Sequence, residues 1–180
     1  IGTGGNPTTG TLAILLPRTS SSAFTTIRIT GYQYSSTNGR GAWSILIGGY
    51  KYNTSWIMTS VAQQGAGPFN SVRLGYKTVD TVVTNDAILL GITTTQWRYP
   101  KIAVEFYVHG GNSYTGHWQQ WSHEFVTDES QYTVGSPLTF TMFEDSAGRY
   151  GFGTTSPSEK LHVAAGNIQI DHLYKLRAHN

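Results

Sequence analysis

Residues 101–109 alternate with almost no noise. Ile102, Val104, Phe106 and Val108 fall on one side, and Ala103, Glu105 and Tyr107 on the other. A period of two predicts a strand with one apolar face. The same pattern recurs in shorter form. Ile27 and Ile29 oppose Thr26, Arg28 and Thr30. Trp43, Ile45 and Ile47 alternate up to Gly48 and Gly49, a pair that predicts a bulge or a close backbone approach. Val72, Leu74 and Tyr76 alternate with Arg73, Gly75 and Lys77, while Trp121, His123 and Phe125, read as inward, alternate with Gln120, Ser122 and Glu124. Residues 11–16 are instead an unbroken apolar run, the pattern of a fully buried strand, and residues 86–92 are apolar and short. Residues 56–61 and the positions Leu138, Phe140 and Met142 add two more strands.

This makes about nine strands at short spacing, with Gly-, Ser- and Asn-rich turns between them. No stretch holds a helical period. The fold class predicted is all-β: an antiparallel β-sandwich, jelly-roll-like, with a closed barrel as the alternative that spacing alone does not separate. The pattern changes after Asp145. Ser156 to Glu159 reads as a capping box with Pro157 at the first helical position, which predicts one helical turn. Leu161 and Val163 then predict a short strand, and Ile168 and Ile170 another. So few apolar residues cannot make a core alone, so they must be buried on the main body or on copies of the chain. The expected division is a sandwich over residues 1–145 and a small β appendage over 146–180.

Composition supports strands and narrows the function. Only 12% of the 180 residues are charged, with 21 Gly and 11 Tyr. There is no cysteine, which excludes disulfides, a thiolate nucleophile and Cys-based metal sites. The formal net charge of +2 is spread without a basic stripe, so nucleic acid is not an expected partner. No apolar run approaches the length of a membrane-spanning helix, so no membrane insertion is expected. A chain that starts at Ile1 with no signal peptide reads as a piece of something longer.

Residues 151–163 carry Gly-Phe-Gly-Thr-Thr-Ser-Pro-Ser-Glu-Lys-Leu-His-Val. This resembles the Gly-hydrophobic-Gly-Thr-Thr-x-Pro-x-x-Lys-Leu-x-Val unit of bacteriophage tail fibres and tailspikes. There it usually precedes a self-cleaving intramolecular chaperone of the endosialidase type. Phe152 departs from the Ile or Val more common at that position. The upstream segments around residues 12–16, 29–34, 43–52, 71–76 and 97–100 more loosely resemble domains found beside that motif. The resemblance implies a distal tail-fibre domain on the virion, a homotrimer, and attachment to a bacterial surface glycan such as lipopolysaccharide or capsule. Joined to the burial requirement, it implies a trimer interface through Phe152, Leu161, Val163, Ile168 and Ile170. It also implies a chaperone beyond Asn180.

Carbohydrate binding calls for flat aromatic faces against sugar C–H surfaces, with polar groups beside them. Three clusters qualify. The first is Asn112, Tyr114, His117 and Trp118, with Gln119 and Gln120 beside them, where Trp118 falls off the inward pattern that Trp121 joins. The second is Trp97 and Tyr99, flanking Arg98. The third is Tyr50, Tyr52, Asn53 and Trp56. The plain alternative for each is an aromatic group capping the sandwich or lying between chains, as in a purely structural shaft module.

A glycan-degrading tailspike would need two carboxylates about 5–10 Å apart. Glu105 and Glu124 are the pair available, and both read as solvated positions. There is no Gly-x-Ser-x-Gly elbow and no phosphate-binding glycine pattern, and the histidines are scattered. No catalytic residue, metal site or cofactor is expected.

Overall fold

The alternating segments become strands whose inward residues meet across two sheets. A computed structural model describes residues 8–17, 23–34, 41–52, 55–65, 67–109, 121–145, 147–166 and 168. Among them are eleven strands and no helix: β1 (Thr8–Pro17), β2 (Ala23–Tyr34), β3 (Ala42–Tyr52), β4 (Ser55–Gln64), β5 (Phe69–Val79), β6 (Val82–His109), β7 (Ser122–Val126), β8 (Tyr132–Val134), β9 (Phe140–Glu144), β10 (Tyr150–Phe152) and β11 (Leu161–Val163). The first sheet runs β7-β1-β6-β5-β8. The second runs β6-β2-β3-β4-β9, antiparallel except for the β4–β9 pair. Packed face to face, they form a β-sandwich.

The core follows from the alternation. Ile27, Ile29, Trp43, Ile45 and Ile47 of the second sheet are buried with Leu12, Ile14, Leu16, Val72, Ile88 and Leu90 of the first. Each fully buried Ile or Leu contributes about 1.5–3 kcal/mol. A slip of one residue would turn such a row to solvent, so burial sets the register. The two segments around 86–92 and 101–109 prove to be parts of one 28-residue strand, β6. It changes sheet midway: Trp97 pairs with Thr8 of β1, and Arg98 with Tyr34 of β2. Such a strand makes a corner of the sandwich.

The run at residues 11–17 is buried on both faces, as its unbroken apolar pattern predicts. One face meets the core. The other, formed by Ala13, Leu15, Ala87 and Leu89, is covered by Tyr132 and Val134 of β8. The chain leaving β7 straps across this face and is clamped by side chains. Glu129 accepts two hydrogen bonds from Arg73, at 2.6 and 2.7 Å, and one from the Thr11 hydroxyl. Glu124 accepts from Lys77 at 2.6 Å and from the Tyr132 hydroxyl. Gly75 lets the strap come close, since a Cβ there would lie 2.0 Å from the Thr133 carbonyl oxygen.

Beyond β9 the chain stays bonded to the edge of the second sheet. β10 pairs antiparallel with β9, and β11 parallel with β10. The helical turn expected at Ser156–Glu159 does not form. The Ser156 N–H donates to Thr154 Oγ1 at 3.1 Å, and the Ser158 N–H to His162 Nδ1 at 3.3 Å. Side chains on either side thus take the donors that would open a helix. Ile168 lies outside any strand, contrary to the pattern, and Ile170 lies outside the described residues.

Candidate functional site

Even-numbered residues of β2 and β3 face outward on the second sheet, because their odd neighbours fill the core. Register then lines up rows across the strands. Tyr107, Thr26, Gly48 and Ser60 form one row, on β6, β2, β3 and β4. Thr26, Gly48 and Ser60 are small, so this row is a floor rather than a ridge. One bank is the neighbouring row of Phe24, Tyr50 and Ile57. The other is Glu105, Arg28 and Leu46. The trough along this floor, beside the aromatic bank, has a volume of about 510 Å³. Its lining residues lie on β2, β3 and β4, a width of about 10 Å at the usual strand spacing.

The aromatic bank is stacked and wet. The Phe24 and Tyr50 rings lie 4.4 Å apart at 29°, and Tyr52 continues the line at 6.3 Å from Tyr50. Phe24, Tyr52 and Tyr107 are each more than half exposed. A bulge sharpens the bank, as Gly48-Gly49 predicts: between the pairs Gly48–Ser60 and Tyr50–Ile57, β4 carries one extra residue. Met58 takes up the bulge with φ of 50° and projects its side chain at 71% exposure. A non-glycine residue held there costs about 1–3 kcal/mol, strain that tends to gather at functional surfaces.

Beyond the Arg28–Leu46 ridge lies a second trough of about 830 Å³. Its floor includes Thr30, Ser44 and Ala103, with Gln64, Glu144 and Tyr150 at one end and Tyr32 and Lys101 at the other. The Glu144 charge, aided by burial and a hydrogen bond, raises the Tyr150 phenol above its ordinary range. On the ridge, Arg28 and Glu105 approach to only 3.9 Å with both side chains about half exposed. An ion pair of that kind is worth roughly 0–1 kcal/mol, so incoming hydroxyls can displace it.

The troughs therefore offer flat ring faces, small floors and weakly engaged polar groups. That set suits an extended polyhydroxyl ligand. It contains Tyr50 and Tyr52 from the third sequence cluster. Trp56 of that cluster packs against the core instead, and Asn53 lies outside the described residues. Asn112, Tyr114, His117, Trp118, Gln119 and Gln120 also lie outside them. Trp97 and Tyr99 lie on the part of β6 that crosses between sheets, where only the backbone is described.

Glu105 and Glu124 are not brought together: Glu105 faces out from the second sheet beside Arg28, and Glu124 sits under the strap on the first. Phe24, Thr26, Gly48, Ser60 and Tyr107 were missed by sequence reasoning. The signal for Phe24, Thr26 and Tyr107 was the outward phase of β2 and β6, and for Gly48 the glycine pair in β3.

Comparison with protein-family models, with curated proteins and with solved structures finds no match to this chain.

Proposed function

We propose that this chain is an attachment module that binds bacterial surface carbohydrate along the outer face of its second sheet. The observation that carries the reading is the trough floored by Thr26, Gly48 and Ser60 and banked by the stacked Phe24 and Tyr50 rings. Sugar rings lie flat on such aromatic banks, and a small floor lets them approach the backbone. The setting proposed is the distal part of a bacteriophage tail fibre, on the virion, which rests on the motif at residues 151–163.

A homotrimer belongs to the same proposal. In the single chain Phe152, Leu161 and Ile168 are 40%, 53% and 53% exposed, and Val163 is partly buried. Apolar surface of this kind favours burial against copies of the chain. Three weak sites then act together, and avidity makes the contact effective.

The test is a titration of the whole chain with purified lipopolysaccharide and capsular polysaccharides, alongside Tyr50→Ala and Tyr107→Ala. Saturable binding to one polysaccharide, weakened in both variants, is the expected result. Binding unchanged in both folded variants, or no binding to any surface polysaccharide of a host that the particle adsorbs to, overturns the reading.

A further inference from the structure

Among the described residues, the sandwich is open along one side: β7 and the C-terminal half of β6 each bond a neighbouring strand on one side only. Ile102, Val104 and Phe106 point inward there yet are only partly buried, whereas Ile27 and Ile29 on the adjoining strand are fully buried. The sheets part to leave a cavity of about 690 Å³. Its apolar wall is Ile14, Ile102, Val104, Phe106 and Trp121, with Trp121 set edge-on to Phe106 at 4.8 Å. Ser122 and His123 border it, and His123 is exposed although its alternation with Trp121 and Phe125 predicts an inward position. The physical reason is this gap, since Ile102, Val104 and Phe106 of the facing sheet are themselves only partly buried.

Two polar groups at this cavity are unmatched. Lys101 lines it and is the one described Lys or Arg side chain that makes no hydrogen bond or ion pair. Arg28, Lys51, Arg73, Lys77 and Arg149 all pair with carboxylates, and Lys160 donates to a carbonyl. The Trp121 indole N–H is buried and has no acceptor among the described residues. A buried donor left unpaired costs about 1–3 kcal/mol. No Asp or Glu is among the described lining residues. The volume falls within the roughly 300–1,000 Å³ usual for small-molecule sites.

We infer that this cavity is a second binding site, adjoining the second trough through Lys101 and Ile102 but not the trough banked by Phe24 and Tyr50, for a small amphiphilic anion. An alkyl body of moderate length occupies the apolar wall, and a single anionic head meets Lys101. The apolar body gains by leaving water, and the head supplies the acceptor atoms that the site lacks.

The experiment titrates the full chain with decanoate, decanol and decyltrimethylammonium below their micelle concentrations. Binding is read by calorimetry and by the Trp121 indole resonance, assigned with Trp121→Phe. Decanoate is expected to bind saturably, to shift that resonance, and to bind more tightly than the other two. Lys101→Met should weaken decanoate about five- to tenfold, the scale of one net hydrogen bond at an exposed position, and leave decanol unchanged. His123→Trp places a ring at the mouth from an exposed position, and Val104→Phe fills the cavity from within; each should remove decanoate binding while glycan titrations stay as in the parent. The inference is overturned if decanoate does not saturate, if the cationic or neutral probe binds as well, or if both filling variants fold and still bind decanoate. Because the glycan titrations run in parallel, failure here is distinguished from failure of the attachment reading.

Discussion

Lys51 of β3 and Asp86 of β6 form an ion pair between the two sheets, with side chains only 1% and 5% exposed. Both sit in rows that are otherwise apolar. Asp86 extends the inward series of Ile88 and Leu90, and Lys51 that of Ile45 and Ile47. Removing one partner strands a charge away from water, whereas removing both leaves only a packing change. Asp86→Ala or Lys51→Ala alone should therefore cost about 3–5 kcal/mol of unfolding free energy. Lys51→Met with Asp86→Leu should recover most of that. Urea midpoints at an unchanged slope give the comparison, and additive losses in the double variant would contradict it.

Close packing of the strap at Gly75 leads to a sharper outcome. Gly75→Ala drives a methyl into the Thr133 carbonyl, so strap or strand must shift. The expected cost is about 1–3 kcal/mol. Amides of residues 131–134 should lose protection from hydrogen exchange, while those of β2 and β3 keep theirs. Equal loss in both regions would mean that the strap is not a separate unit.

Acid should release the same strap. Hydrogen bonds from Arg73 hold Glu129 below its ordinary range, against a burial penalty and with help from Thr11 and the Arg73 charge. Burial pushes Glu124 up, but hydrogen bonds from Lys77 and Tyr132, with the Lys77 charge, more than offset it. A carboxyl whose folded value is depressed stabilises the fold above its unfolded value, near 4.3, and loses that contribution as pH falls through the folded value. Melting temperature should stay level from neutral pH down to about 5 and drop below about 4.3. Glu129→Gln should melt lower at neutral pH and show a shallower acid limb. Parallel acid limbs in the two proteins would rule this out.

The turn between β5 and β6 stores strain. Asp80 and Thr81 both have positive φ, at 48° and 69°. A two-residue hairpin turn of this kind favours Gly at its second position, and a β-branched residue there is strained. Thr81→Gly should raise stability by about 1 kcal/mol despite the added freedom of the unfolded chain. For a chain of this size that is a rise of roughly 2–4 °C in Tm. A lower Tm would show that Thr81 makes a compensating contact.

Gly48 tests the trough without disturbing the core. A Cβ there meets only Ser60 Oγ, at 3.1 Å, so a larger side chain rises from the floor. Gly48→Val should leave the melting temperature within a few degrees and reduce glycan binding at least tenfold. Unchanged binding would move the site off this trough.

The strands were legible because period-two alternation is a local property of burial. Residues 11–16 even announced two buried faces. The bulge in β4 opposite Gly48 and Gly49 was legible for a similar reason, since two glycines mark where side chains must be missing. The helical turn at Ser156 was not, because the competing acceptors on Thr154 and His162 are set by how β11 docks on β10. Likewise, alternation showed that Thr26, Arg28 and Thr30 face outward, but not which residues stand beside them. Thr26 meets Gly48 and Tyr107 only once three strands are in register.

Local pattern is thus sufficient for the strands, the sandwich and most of the core, because each residue's preference for water or interior is its own. Pairing order, the switch of β6 between sheets, the strap, the troughs and the open cavity needed the tertiary structure. They depend on which strands become neighbours, and chain closure and packing decide that across separations no short window contains.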